Sequence, residues 1–123
     1  LVFGRKDYHS KHEPILYGWK LGAAHYFVDD RTQDTIWEID RPMRSEKEHP
    51  TQKPIELYER AIANSSVSSA VVYEPFAGTG TALLACENLN RQCRAVELDP
   101  KFTAVCLERW SVHTGRQPVL VDI

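Results

Sequence analysis

Ala70-Val71-Val72-Tyr73-Glu74-Pro75-Phe76-Ala77-Gly78-Thr79-Gly80-Thr81 is the stretch that decides the fold. Its first four residues have the length and β-branched content of a buried strand. Glu74–Thr81 is a glycine-containing turn. After it, Thr81–Leu89 places Ala82, Ala85, Cys86 and Leu89 at helical spacing. A second apolar segment, Arg94–Leu98, follows and carries Glu97 near its end. Strand, turn, helix and strand make one βαβ unit, with a right-handed crossover expected. The class is α/β, a mostly parallel sheet flanked by helices.

The turn residues have separable tasks. Without a Cβ, Gly78 and Gly80 let the backbone turn tightly and let a ligand approach it. Glu97 falls roughly twenty residues beyond Gly78, where a doubly wound sheet places an acid to accept hydrogen bonds from ribose hydroxyls. The unit therefore suits an adenosine-containing cofactor. A dinucleotide loop would read G-x-G-x-x-G/A, but Leu83 fills the third position and is large for close helix–strand contact. An S-adenosylmethionine loop is the alternative, and the residues alone leave both open.

Resemblance separates them. Glu74–Thr81 resembles the D-P-F-x-G-x-G-T cofactor loop of the DNA amino-methyltransferases, which methylate adenine N6 or cytosine N4. His49-Pro50-Thr51-Gln52-Lys53-Pro54, about twenty residues upstream, is similar to the H-P-T-x-K-P motif of that family. Glu74 stands where Asp is usual, a longer acid that still accepts hydrogen bonds. The resemblance implies a partial Rossmann-like S-adenosylmethionine-dependent methyltransferase fold. It makes Glu74, Phe76, Gly78, Thr79, Gly80 and Glu97 candidate cofactor-binding residues. Thr51 and Lys53 are implied partners of the cofactor's methionine carboxylate, which a hydroxyl and an ammonium suit.

Composition fits one domain. The 123 residues are 42% hydrophobic and 26% charged, ordinary globular values. No apolar run reaches the length of a membrane span, and no signal peptide is visible. A net charge of −2 does not advertise a DNA-gripping surface. Cys86, Cys93 and Cys106 lack metal-ligand spacing. They read as reduced thiols, with Cys86 and Cys106 in apolar helical stripes, which fits a cytoplasmic location.

In chain order, His9, His12 and Glu13 form an H-x-x-H-E cluster, but Pro14 prevents the helix that an H-E-x-x-H metal site needs. Locally satisfied polar residues are the reading, with no metal. Ile15–Tyr17 is a predicted short strand. His12–Lys20 resembles the family segment that follows the catalytic half, which makes Tyr8 a candidate for stacking on an extruded base. Ala24–Val28 and Thr35–Ile39 are predicted to form a hairpin. Arg41, Arg44 and Lys47 follow on a loop that suits phosphate contact or plain solvation. Ile55–Asn64 is a predicted helix with Pro54 at its first turn. Asp99 and Pro100 predict an N-cap and first residue for a helix bearing Phe102, Val105, Cys106 and Trp110 on one face and ending near Gly115. Gln117–Ile123 suggests a last strand.

One part of the family pattern is missing. Amino-methyltransferases carry a D-P-P-Y or S/N-P-P-Y/F/W motif that holds the target amino group and stacks on the flipped base. None of the seven prolines here adjoins another. By the family's order the motif belongs upstream of Leu1, so the chain reads as a C-terminal portion. Residues 1–48 would be the segment after the catalytic half with a short recognition insert, and 49–123 the cofactor-binding region. The expected reaction is methylation of an exocyclic amino nitrogen of DNA, adenine N6 ahead of cytosine N4, by the complete enzyme with the N-terminal catalytic half as partner. Two other readings are a non-catalytic S-adenosylmethionine-binding subunit and an NAD-linked oxidoreductase fragment.

Overall fold

The computed structural model describes residues 7–8, 10–40 and 53–121. Five elements follow in order: α1 (Ile55–Ser65), β1 (Val71–Glu74), α2 (Thr81–Asn88), β2 (Gln92–Ala95) and α3 (Pro100–Thr114). β1 and β2 pair in parallel, from Val71 opposite Gln92 to Glu74 opposite Ala95. A parallel pair cannot be closed by a tight hairpin, and α2 is the crossover.

α2 is the middle of the packing. Thr81, Ala82, Leu84, Ala85 and Cys86 are all buried, because α1, α3 and β2 surround this short helix. Ile62 of α1 packs on Ala85 and Cys86, and Ile55, Tyr58, Val72, Leu89 and Cys93 close around them. Ala85 is wholly buried, and its small side chain suits the close approach of neighbouring backbones. Polar side chains at the end of α2 tie it to both neighbours. Asn88 Nδ2 donates to Glu59 Oε1 of α1 (2.7 Å), and Asn88 Oδ1 lies 2.5 Å from His113 Nε2 of α3. Glu87 accepts from Trp110 Nε1 (3.1 Å) and pairs with Arg116.

Several expectations shift. β1 begins and ends one residue later than predicted. α2 stops at Asn88, and α1 runs through Asn64 to Ser65 with Pro54 as its cap rather than inside its first turn. β2 lies at Gln92–Ala95 instead of Arg94–Leu98, which leaves Glu97 two residues beyond the strand. In α3, Asp99 Oδ1 accepts from Lys101 N (2.9 Å), Pro100 opens the helix and Gly115 caps it, as the sequence suggests.

The predicted hairpin does not form. Asp30 takes the Thr32 amide and hydroxyl and the Gln33 amide group, and Asp34 accepts from Ile36 N (3.1 Å). Such local side-chain bonds compete with a strand ladder. The segment lies along α1 instead: Val28 N donates to Asn64 O (3.0 Å), and Gln33 Oε1 accepts from Arg60 and Asn64. Trp37 packs under the Arg60 guanidinium, 4.7 Å from ring centre to Cζ. Ile15–Tyr17 and residues 117–121 are irregular as well. An isolated apolar segment needs a neighbouring ladder to become a strand, and among the described residues only β1 and β2 pair. Near Ile15–Tyr17 the rings of Trp19 and His25 stack at 3.8 Å.

Candidate functional site

The turn between β1 and α2 is held from three sides. Glu74, the last residue of β1, accepts from Phe76 N at 2.8 Å and so starts the turn with its own side chain. Beside it, Val96 N donates to Glu74 O and Ala77 N to Val96 O, both at 2.9 Å, which continues the strand pairing into the loop. From α3, Arg109 Nη1 donates to Thr79 O (2.5 Å) and Thr79 Oγ1 (3.1 Å). Thr79 is buried, whereas Phe76 is 84% exposed.

Glu97 is the centre of the arrangement. Its Oε2 accepts from Gly78 N at 2.6 Å and its Oε1 from Asp99 N at 2.9 Å. The side chain thus clamps the glycine turn to the loop that follows β2. Backbone donation, from Asp99 and then Gly78, holds its carboxyl below the usual carboxylate range. A carboxylate oxygen has two lone-pair positions, so each oxygen that accepts one N–H can also accept a hydroxyl.

The two turn glycines do different things. Gly78 has φ +54, and an added Cβ would meet nothing nearer than Phe76 O at 4.0 Å. Gly80 has φ +82, and an added Cβ would overlap Cys106 Sγ and lie 3.1 Å from Cys106 Cβ and 3.3 Å from its Cα. Gly78 leaves open space at the turn. Gly80 is needed for packing, because α3 occupies the place of its side chain.

The start of α1 belongs to the same end of the sheet. Its C-cap, Ser66, meets the opposite end, where Ser66 O and Oγ accept from Arg91 (2.7 and 3.3 Å) ahead of β2. In its first turn, burial pushes the Tyr58 phenol up, and the nearby Glu74 carboxylate adds to that. Lys53, just before the helix, pairs with Glu13. Ligands of open α/β sheets bind outside the carboxyl ends of the strands, which is where the glycine turn, Glu97 and this helix start lie.

Of the residues singled out from sequence, the structure joins Gly78 to Glu97 directly, bonds Glu74 to Phe76 N and places Thr79 and Gly80 against α3. Thr51 lies outside the described residues, as do His9, Arg41, Arg44, Lys47 and the rest of the H-P-T segment up to Gln52. Tyr8 is exposed. The structural parts played by Arg109, Cys106 and Glu13 were not foreseen. Arg109 and Cys106 are distant in sequence and sit in an ordinary amphipathic helix. In the sequence Glu13 stands out only beside its histidines. Among the described residues no group of His, Cys, Asp and Glu could hold a metal ion, and no helix is long and apolar enough to cross a membrane.

Comparison with known proteins bears on the family and the fold. The type II methyltransferase M.HpaI of Haemophilus parainfluenzae is 36% identical over 77 residues, which are 60% of this chain and 24% of that protein. The DNA adenine methyltransferase YhdJ of Escherichia coli (strain K12) is 27% identical over 126 residues, 91% of this chain and 43% of YhdJ. The chain thus spans less than half the length of these relatives. The crystal structure of the M1.HpyAVI-SAM complex superposes with a TM-score of 0.62 at 26% identity, over 72% of this chain and 45% of that one. The sequence profile of the DNA methylase family, the N6/N4 methyltransferases, matches residues 3–108. By that match over most of its length, this chain belongs to the DNA methylase family.

Proposed function

We propose that this chain is the S-adenosylmethionine-binding portion of a DNA methyltransferase that methylates an exocyclic amino nitrogen. The observation that carries the reading is the Glu97 carboxylate, bonded to Gly78 N at the carboxyl end of a parallel strand pair. In this reading the ribose hydroxyls donate to Glu97, the open side of Gly78 receives the cofactor, and exposed Phe76 covers it. Thr51 and Lys53 face the methionine carboxylate. Glu74, Thr79 and Gly80 act through the shape of the turn. The free thiols of Cys86, Cys93 and Cys106 suit the reducing cytoplasm.

Adenine N6 is the acceptor proposed ahead of cytosine N4, on the similarity to YhdJ over most of the chain. Residues 49–123 form the cofactor region, and 1–48 the lead-in with a short recognition insert. The chain contains no adjacent prolines, and in this reading the motif that grips the flipped base belongs to the N-terminal catalytic half. What this chain contributes is the orientation of the donor: the turn fixes the adenosine, so that the methyl group faces the acceptor nitrogen.

The test is transfer of labelled methyl groups to duplex DNA by this chain, alone and with the catalytic half supplied in trans. Transfer only on complementation supports the division of labour. Transfer by the isolated chain contradicts it.

A further inference from the structure

Glu13 and Lys53 are forty residues apart in sequence, yet their side chains are in direct contact. Both side chains remain reachable, at 56% and 43% exposure. An exposed ion pair of this kind contributes little to stability. Its position is more telling. Lys53 lies two residues before α1, whose far end at Ser66 is bonded to Arg91 ahead of β2, so the start of the helix lies toward the carboxyl ends of the strands, the end at which the glycine turn begins. A cation and an anion held side by side at that end of the sheet are complementary to a zwitterion.

We propose that Glu13 receives the α-ammonium of the cofactor, next to the α-carboxylate that Lys53 takes in the proposed function. This rests on the reading of the turn as an S-adenosylmethionine site and extends it to a residue outside the glycine turn and the H-P-T-x-K-P segment. The chemistry is self-consistent. A carboxylate offers about four lone-pair positions and a lysine ammonium three N–H donors, so each can hold the other and one ligand group together. Charge-assisted bonds of this type are the stronger hydrogen bonds of a site. Holding Lys53 with Glu13 in the free protein also fixes a flexible cation before the ligand arrives, which lowers the ordering cost of binding.

The test compares two ligands that share the methylthioadenosine part and differ in the amino-acid part. S-adenosylmethionine and 5′-methylthioadenosine are titrated calorimetrically into the unsubstituted chain, the Glu13→Gln variant and the Lys53→Met variant. Each variant is expected to bind S-adenosylmethionine about tenfold more weakly and 5′-methylthioadenosine with unchanged affinity. Retained 5′-methylthioadenosine binding also reports that the variant is folded. Unchanged or tighter S-adenosylmethionine binding by Glu13→Gln would show that Glu13 only neutralises Lys53, and would overturn the proposal. Equal weakening of both ligands would overturn it too, by showing an effect on the turn itself. Should the unsubstituted chain bind neither ligand, the adenosyl-cofactor reading fails first and this proposal with it.

Discussion

Replacing Gly80 with Ala inserts one methyl group at the junction of turn, α2 and α3. Two separate effects follow. The backbone there has φ +82, and a left-handed conformation costs a residue with a Cβ about 1–2 kcal/mol. The methyl group would also overlap Cys106 Sγ and crowd Cys106 Cβ at 3.1 Å and Cα at 3.3 Å, an overpacking that costs about 1–3 kcal/mol. The sum is a loss of about 2–5 kcal/mol, a large fraction of what a small domain possesses. Urea unfolding followed by circular dichroism measures it as a lower midpoint at constant slope. A double-mutant cycle with Cys106→Ala separates the effects. Removing Sγ relieves the overlap but not the backbone strain, so Gly80→Ala should cost at least about 0.5 kcal/mol less in that background. A Gly80→Ala variant as stable as the parent, or one with the same cost in both backgrounds, would refute the packing role assigned to Gly80.

Ile62→Ala, which empties the contact between α1 and α2, should lose about 2–5 kcal/mol in the same unfolding assay. Burial and the adjoining Cys86 thiol push the Cys93 thiol up to about 12, so at pH 8 it should react with a disulfide reagent far more slowly in the native chain than after unfolding. Asp30, held by Thr32 and then Gln33, has its carboxyl lowered from 3.8 to about 2. Its contribution to the turn is therefore complete above pH 3.8 and lost as the pH falls through about 2, a midpoint that carbon NMR of the carboxyl reads directly. Glu97 follows the same sign. Its folded value lies below 4.5, so the clamp on Gly78 persists at neutral pH and releases only as acid titrates that lowered group.

The βαβ unit was legible because local chemistry specifies it, whereas the two motifs were legible only by resemblance to a family. Val71 and Val72 favour a strand, Asp99-Pro100 cap a helix, and Gly78 and Gly80 sit where φ is positive. What sequence could not separate was why each glycine is there. Gly80 answers to Cys106, and that contact depends on how α3 packs on α2. Spacing alone marks Glu97 as a candidate ribose partner. Its bonds to Gly78 and Asp99 became visible only when the turn was folded onto it. The missing hairpin has the opposite lesson. Trp37 and Ile39 alternate as strand residues do, but Asp30 and Asp34 satisfy the nearby backbone locally, and α1 supplies the surface that Trp37 covers.

In the proposed function the turn between β1 and α2 holds an adenosyl methyl donor. Calorimetric titration of the chain with S-adenosylmethionine and, separately, with NAD tests it most directly, alongside the Gly78→Val variant. An added Cβ at Gly78 meets no protein atom closer than 4.0 Å, so Val there fills ligand space without a clash of its Cβ, and it carries in addition the left-handed backbone strain of about 1–2 kcal/mol. Saturable binding of S-adenosylmethionine is expected, with none of NAD, and loss of binding in a Gly78→Val chain that keeps its helix content. Binding of NAD in place of S-adenosylmethionine, or undiminished S-adenosylmethionine affinity in Gly78→Val, would contradict it.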